Sequence, residues 1–345
     1  MAFLKTLIRT PWFWGIVGIA LLLTLNMIKD PTYLAIGVNS TTGLLAGNVL
    51  DILRVSAPII MIALGMTFVI ATKGIDLSVG SIMAVGGAAA METLRAVDGQ
   101  NAFGAMFTAI GVALLIGALL GVVNGVLVAV VGLQPFISTL VMMLAARGIA
   151  RVITGGQNTN ASNAPFREIS NGQILGLPTS FVLAVAIVVI VSLIMRRTAL
   201  GLMIESIGIN PAASRLAGIR PRPILITVYI LSAVLAATGG LFTVSEVMTV
   251  DVSGTGYQME LDAILAVVIG GTSLAGGKFS ILGSTVGALL IATLNKTVLF
   301  LGVSAAATPA FKAIVIVVLV LLQSERVRNY VLQLGRRRSR KEVVA

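Results

Sequence analysis

The sequence predicts an all-α integral membrane protein of about ten transmembrane helices in two inverted repeats, with broken helices near a pathway. Three observations carry this reading. Hydrophobic residues make up 57% of the 345 and charged residues only 11%, at a mean hydropathy of +1.03, which leaves too little polar surface for a water-soluble chain of this size. Apolar runs near the roughly 20 residues that cross a bilayer recur along the chain. Basic residues gather in segments that alternate with acidic or neutral ones, as expected when cytoplasmic loops are positive.

The first run, 11–28, follows Lys5 and Arg9 and at first resembles a secretory signal. Asn26-Met27-Ile28-Lys29-Asp30 offers no small-residue cleavage site, so the sequence predicts an uncleaved helix with its N-terminus inside. Spans follow at 54–72 and 77–97. The fourth, 103–131, is too long for a straight crossing and is expected to tilt or lie partly in the interface. The fifth is 135–153, and after a polar loop comes 180–195. The segment 196–222 carries Arg196, Arg197, Arg215, Arg220 and Arg222 against a lone Glu205. Span seven, 223–243, leads to an acidic stretch over 244–262. Spans 260–275, 281–302 and 309–323 complete the set, and a basic tail covers 324–345. With the N-terminus inside, ten spans put 196–222, the tail and both termini on the cytoplasmic side and the acidic stretch outside. The formal charge of +11 then reflects topology and contact with anionic membrane lipid; no nucleic-acid partner is predicted. The chain reads as one transmembrane domain over 1–345.

The chain also resembles itself. Asp76-Leu77 precedes Gly86-Gly87 at the spacing that separates Glu260-Leu261 from Gly270-Gly271. Downstream, Gly117-Ala118-Leu119-Leu120 leads to Asn124, and Gly287-Ala288-Leu289-Leu290 leads to Asn295. Each motif lies five spans from its mate and so enters the membrane from the opposite side, the arrangement of many transporters. Glycines around spans three and eight permit broken helices, or else close helix packing through small residues. Asp76 would be costly in lipid and must face protein, water or a helix end; a helix cap with Ser78 and a substrate contact both suit it. The repeat nominates Asp76, Ser78, Asn124, Glu260, Asp262 and Asn295 as pathway residues.

Catalytic chemistry finds no residues here. With no cysteine and no histidine there are no disulfides, no thiolate or imidazole metal ligands and no nucleophile–histidine pair. The run from Gly271 to Phe279 fails as a phosphate-binding loop, because Thr272 stands where the first glycine belongs and Phe279 follows Lys278. Glu260 and Asp262, two apart on a helix, do not face each other. No catalytic residue, metal or cofactor is predicted. Intramembrane carboxylate chains for proton relay are missing too, so an energy source outside this chain is expected for uphill transport. The segment 196–222 suits docking to such a motor. It reads as an amphipathic helix pair in which Leu202, Glu205 and Ser206 share a face, Asn210 caps a helix begun by Pro211, and Gly218 ends it. A surface helix at the lipid interface is the competing reading.

The stretch from Glu205 to Ile219 resembles the coupling motif of bacterial ABC importer permeases of the ribose/branched-chain amino acid class. Gly74-Ile-Asp-Leu-Ser-Val-Gly80-Ser81 and Leu261 to Gly271 with Gly276-Gly277 are similar to signatures of its monosaccharide branch, as are Gln134-Pro135-Phe136 and Ala146-Arg147-Gly148. The likeness runs from about 45 to 325. Within the branch it is greatest to the galactofuranose permeases. The resemblance implies a ten-helix permease of the bacterial inner membrane that conducts a monosaccharide, galactofuranose or a ribose-like sugar. It implies a second permease subunit, identical or paralogous, two ATP-binding subunits docked on the coupling segments, and a periplasmic sugar-binding protein. The coupling role would fall to Glu205, Gly208, Asn210, Ala213 and Gly218. A stand-alone secondary sugar carrier or channel is the alternative.

Overall fold

The computed structural model describes residues 10–40, 43–97, 102–304 and 306–323. Lys5, Arg9 and the basic tail 324–345 lie outside them. Thirteen α-helices run through the described residues: α1 (Pro11–Lys29), α2 (Asn48–Ala71), α3 (Val79–Ala96), α4 (Phe103–Val126), α5 (Pro135–Ile153), α6 (Ala164–Asn171), α7 (Thr179–Arg197), α8 (Ala199–Ile209), α9 (Pro211–Leu216), α10 (Pro221–Val247), α11 (Met259–Ile269), α12 (Ile281–Phe300) and α13 (Thr308–Gln323). Seven of them, α1, α2, α4, α5, α7, α10 and α12, are long and apolar enough to cross a membrane. Helices α3, α11 and α13 occupy the other three predicted spans with 18, 11 and 16 residues.

The bundle is built around α2, in which every residue from Ser56 to Ala71 is buried, with α10, α12 and α11 against it, while α3 packs on α10 and α4. Large apolar side chains point outward from the peripheral helices: Phe107 and Leu115 on α4, Val141 and Leu144 on α5, and Ile190 on α7 are all exposed. A water-soluble chain does not present such a belt. Prolines open α5, α9 and α10, where the missing N–H costs no helical bond. Several buried hydroxyls and amides hydrogen-bond across helices, which offsets the cost of placing them in an apolar bundle. Thr67 donates to Ser284 at 2.7 Å, joining α2 to α12, and Asn26 donates to Thr297 at 2.9 Å, joining α1 to α12.

Several boundaries differ from the sequence reading for physical reasons. Helix α2 begins six residues before the predicted 54, and the charges of its first turns are paired: Asp51 meets Lys296 at 2.9 Å and Arg54 at 3.5 Å. The overlong fourth span is α4 followed by a π-helical turn, Leu127–Val131, which ends on Gly132. Helix α3 is continuous through Gly80, Gly86 and Gly87; there the glycines serve packing, as where Gly86 approaches the α10 backbone at Ala237. Helix α11, by contrast, stops at Ile269 rather than 275, since Gly270 lies against the backbone of Gly283. A loop, 270–280, then leads into α12. The polar loop 154–179 contains α6, which the sequence reading left without structure.

The loops collect at two ends of the bundle. At one end, 71–78 meets 276–277, 208–209 and Thr139. At the other, antiparallel two-residue strands pair 159–160 with 249–250, and Gln173 clamps both backbone groups of Leu45.

Candidate functional site

The basic segment 196–222 folds as expected into two short helices, α8 and α9. The Asn210 side-chain oxygen accepts from the N–H groups of Ala212 and Ala213 at 3.0 and 3.1 Å, with Pro211 in the first turn. Gly218 follows α9 at φ +85°, a left-handed conformation that closes helices and suits glycine. Asn210 and Ala213 are exposed and Glu205 is half-buried. Asn210→Ala should cost α9 about 1 kcal/mol and speed amide exchange over 211–216 while α8 keeps its protection. Unchanged exchange in both helices would remove the cap.

Gly208 ties this pair to the bundle. It is buried, and a Cβ built on it would lie inside the van der Waals shell of the Ala71 carbonyl oxygen. That oxygen ends α2 and also accepts from the Gly277 N–H at 2.8 Å. A Cβ on Gly276 would stand 3.2 Å from the same atom. Lys73, two residues on, donates through Nζ to the Ile209 carbonyl at 3.1 Å, over the C-terminal end of α8. Three separated segments thus meet backbone to backbone at Ala71. Outward from this joint, Leu202, Ile209 and Leu216 are exposed.

Five residues beyond Ala71, Asp76 is fully buried. Its Oδ1 accepts from the Ser78 N–H at 3.0 Å and the Ser78 hydroxyl at 2.5 Å, and its Oδ2 accepts from Ser232 on α10 at 2.9 Å. Asn124 on α4 donates to the Ser78 oxygen at 2.9 Å. Thr139 on α5 donates to the neighbouring Ile75 carbonyl at 3.0 Å. The loop is thereby fixed to α4, α5 and α10. Three of the six pathway candidates, Asp76, Ser78 and Asn124, come together here.

Asp262 and Asn295 meet separately from this cluster, Asn295 donating to Asp262 Oδ2 at 3.3 Å. Lys312 on α13 reaches both Asp262 oxygens at 3.2 Å. The ion pair borders a cleft of about 350 Å³ between α11 and α13, with Leu261 and Leu265 on its apolar side. Glu260 stays apart from this pair; its carboxylate lies over Gly80 of α3. Nearby, Arg147 donates to the Val252 and Thr255 carbonyls at 3.0 and 2.7 Å. Removing the cation alone by Lys312→Met leaves Asp262 without its partner at a side-chain exposure of 10%. A loss of about 1–3 kcal/mol is expected, and Lys312→Met with Asp262→Leu should recover most of it. Equal thermal stability of the single variant, the double variant and the native chain would mean the pair contributes nothing.

Sequence reasoning missed Ala71, Lys73, Ser232 and Lys312. Lys312 carried a signal, as the lone charge in the predicted span 309–323. Ser232 and Ala71 carried none, being ordinary residues in apolar helices.

A family model described as "Branched-chain amino acid transport system / permease component" matches residues 48–323. The chain belongs to that family. Members of this permease family are non-catalytic subunits of ABC transporters. The fructose import permease protein FruF of Bifidobacterium longum is 52% identical over 98% of this chain and 95% of its own length. The galactofuranose transporter permease protein YtfT of Escherichia coli is 40% identical over 90% and 89%, and the ribose import permease protein RbsC of the same organism is 41% identical over 81% and 86%. The fructose permease is therefore more similar to this chain than the galactofuranose permease is, which corrects the preference read from motifs alone. No solved structure matches the chain. The permease is a multi-pass membrane subunit of a sugar ABC importer.

Proposed function

We propose that the permease conducts a monosaccharide, fructose in the first instance, across the bacterial inner membrane as one half of a permease pair. The observation that carries the sugar is the 52% identity to a fructose permease across nearly the whole chain, against 40–41% for the galactofuranose and ribose permeases. Two ATP-binding subunits would dock on α8 and α9. What supports this is the capped, rigid helix pair, its buried seat on Ala71 and its exposed outer residues. A periplasmic binding protein would deliver sugar at the opposite end.

The basic character of the end that holds Lys73, Arg196, Arg197, Arg215, Arg220, Arg222 and Lys278 supports a cytoplasmic orientation for it. The inverted repeat draws support from two hydrogen bonds. Ser78 bonds Asn124 in the first half and Asp262 bonds Asn295 in the second, so the nominated residues of each half meet one another in a similar way. For the pathway we favour Asp262, Asn295 and Glu260, because Asp262 opens on a cleft while Asp76 has no exposure. Carboxylate, amide and ammonium groups beside an apolar wall suit sugar hydroxyls.

The test is ATPase stimulation in a reconstituted complex of this chain, its second permease and its ATP-binding subunit. The binding protein is supplied loaded with fructose, galactofuranose or ribose. Stimulation by the fructose-loaded form is expected. Stimulation by another sugar alone would reassign the substrate, and ATP-independent sugar flux by the chain on its own would favour the stand-alone carrier.

A further inference from the structure

A cavity of about 960 Å³ opens at the basic end of the bundle, between the π-helical turn after α4, helix α9 and the start of α10. Its volume lies near the top of the roughly 300–1,000 Å³ range of ligand clefts. One side of the lining is cationic: Arg215, Arg220 and Arg222 all border it. The three are exposed, and among the described residues none forms an ion pair. The other side is apolar, formed by Val128 and Val130 of the π-helical turn and Leu225 of α10. Val130 and Val131 are half or more exposed and continue the outward apolar surface of α4, so the apolar wall runs on into the membrane-facing belt.

The geometry points to a binding site for an anionic phospholipid, whose phosphate meets the three guanidinium groups and whose acyl chains lie along the turn and α4. Guanidinium forks bind phosphate oxygens in pairs, and basic pockets between transmembrane helices suit acidic headgroups. The position decides the occupant. Both α4 and α10 are long enough to span a membrane, and the cavity lies where the one ends and the other begins, which is headgroup depth. Free phosphate would leave the apolar wall unused, and a soluble partner would have to cover valines that point toward lipid. The π-helical turn shapes the site: its wider coil carries Leu127–Val131 before the chain reverses at Gly132, a local departure from α-geometry that recurs at functional positions. The site is separate from the joint at Ala71 but shares Pro211, Arg215 and Gly218 with the segment proposed to dock the ATP-binding subunit, and it does not depend on the identity of the sugar.

Native mass spectrometry of the full chain in detergent tests it, with phosphatidylglycerol, phosphatidylcholine and inorganic phosphate as probes. Phosphatidylglycerol should be retained and phosphatidylcholine lost, with inorganic phosphate unable to displace the anionic lipid. Arg215→Gln, Arg220→Gln and Arg222→Gln should each weaken retention about fivefold, and the triple substitution about a hundredfold. Arg→Lys at all three positions should keep most of it, which separates lost charge from a damaged fold; if the triple glutamine variant is polydisperse, the single variants carry the reading. The basic tail is intact in every variant, so full retention by the glutamine variants would overturn the site. Equal retention of phosphatidylcholine would overturn recognition by charge, and displacement by phosphate alone would reduce the cavity to an anion site. If the glutamine variants lose the ATP-binding subunit but keep the lipid, the arginines belong to that subunit and the proposal fails.

Discussion

Gly208→Ala is expected to reduce ATP-driven sugar uptake at least about tenfold while the chain still reaches the membrane. The added methyl group has nowhere to go, because the atom it meets is a backbone oxygen already engaged by the Gly277 N–H. No rotamer relieves a backbone contact, and overpacking of this kind costs about 1–3 kcal/mol or more. Helix α8 must then stand off from α2, parting Lys73 from the Ile209 carbonyl. ATP hydrolysis by the docked subunits should persist but lose its stimulation by sugar-loaded binding protein. Gly208→Pro should act in the same direction more strongly. Glu205→Lys tests the half-buried charge on the same helix. Normal uptake in the alanine and proline variants would remove the joint from the coupling route.

Asp76→Ala should be the most destabilising single change in the buried network. It strips the acceptor from the Ser78 N–H, the Ser78 hydroxyl and the Ser232 hydroxyl, and a buried donor left unpaired costs about 1–3 kcal/mol. A fall in apparent Tm on the order of 5–10 °C is expected for three such losses. Asp76→Asn keeps an oxygen able to accept from Ser78 and should cost clearly less. The pattern distinguishes a structural anchor from a sugar contact. An anchor loses stability in proportion to the donors orphaned, whereas a contact would lose uptake in both variants with Tm unchanged. Thermal unfolding followed by size-exclusion chromatography, alongside uptake, reads both quantities.

The parts of this architecture written in local sequence were legible. Asn210, Pro211 and Gly218 act within one short helix, so their cap, start and stop could be read from spacing, and each stands where that spacing puts it. All ten apolar runs coincide with helices, because hydropathy over about 20 residues outweighs the detail of any one position. The errors came where distant parts of the chain decide. Helix α2 starts earlier than read, at Asn48, in a turn where Lys296, 245 residues away, pairs with Asp51. The end of α11 was misjudged because Gly283 occupies the space that another turn would need. The internal repeat nominated Ser78, Asn124, Asp262 and Asn295 without saying which of them meet, and it had no means of nominating Ser232 or Lys312, which belong to neither repeated motif. Ranking relatives from motifs went astray for a related reason: the signature segments build the joint and the buried clusters, and residues that serve the scaffold say little about which sugar permease is most similar over the whole chain.

The joint at Ala71 has one further consequence. Gly208, Gly277 and the end of α2 meet through main chain, with the side chains of Lys73 and Ile209 packed around them, so the central contact itself holds no side chain to exchange. Elsewhere in the bundle a neighbour can change rotamer and absorb a small movement; at this contact there is no slack, and a displacement of α8 passes undiminished to α2 and to the loop before α12. Such a linkage is stiff but cannot be tuned. If α8 and α9 seat the motor as proposed, its match to one motor rather than another would be written on their outer surface, in exposed residues such as Leu202 and Leu216, which stand clear of the contact beneath them.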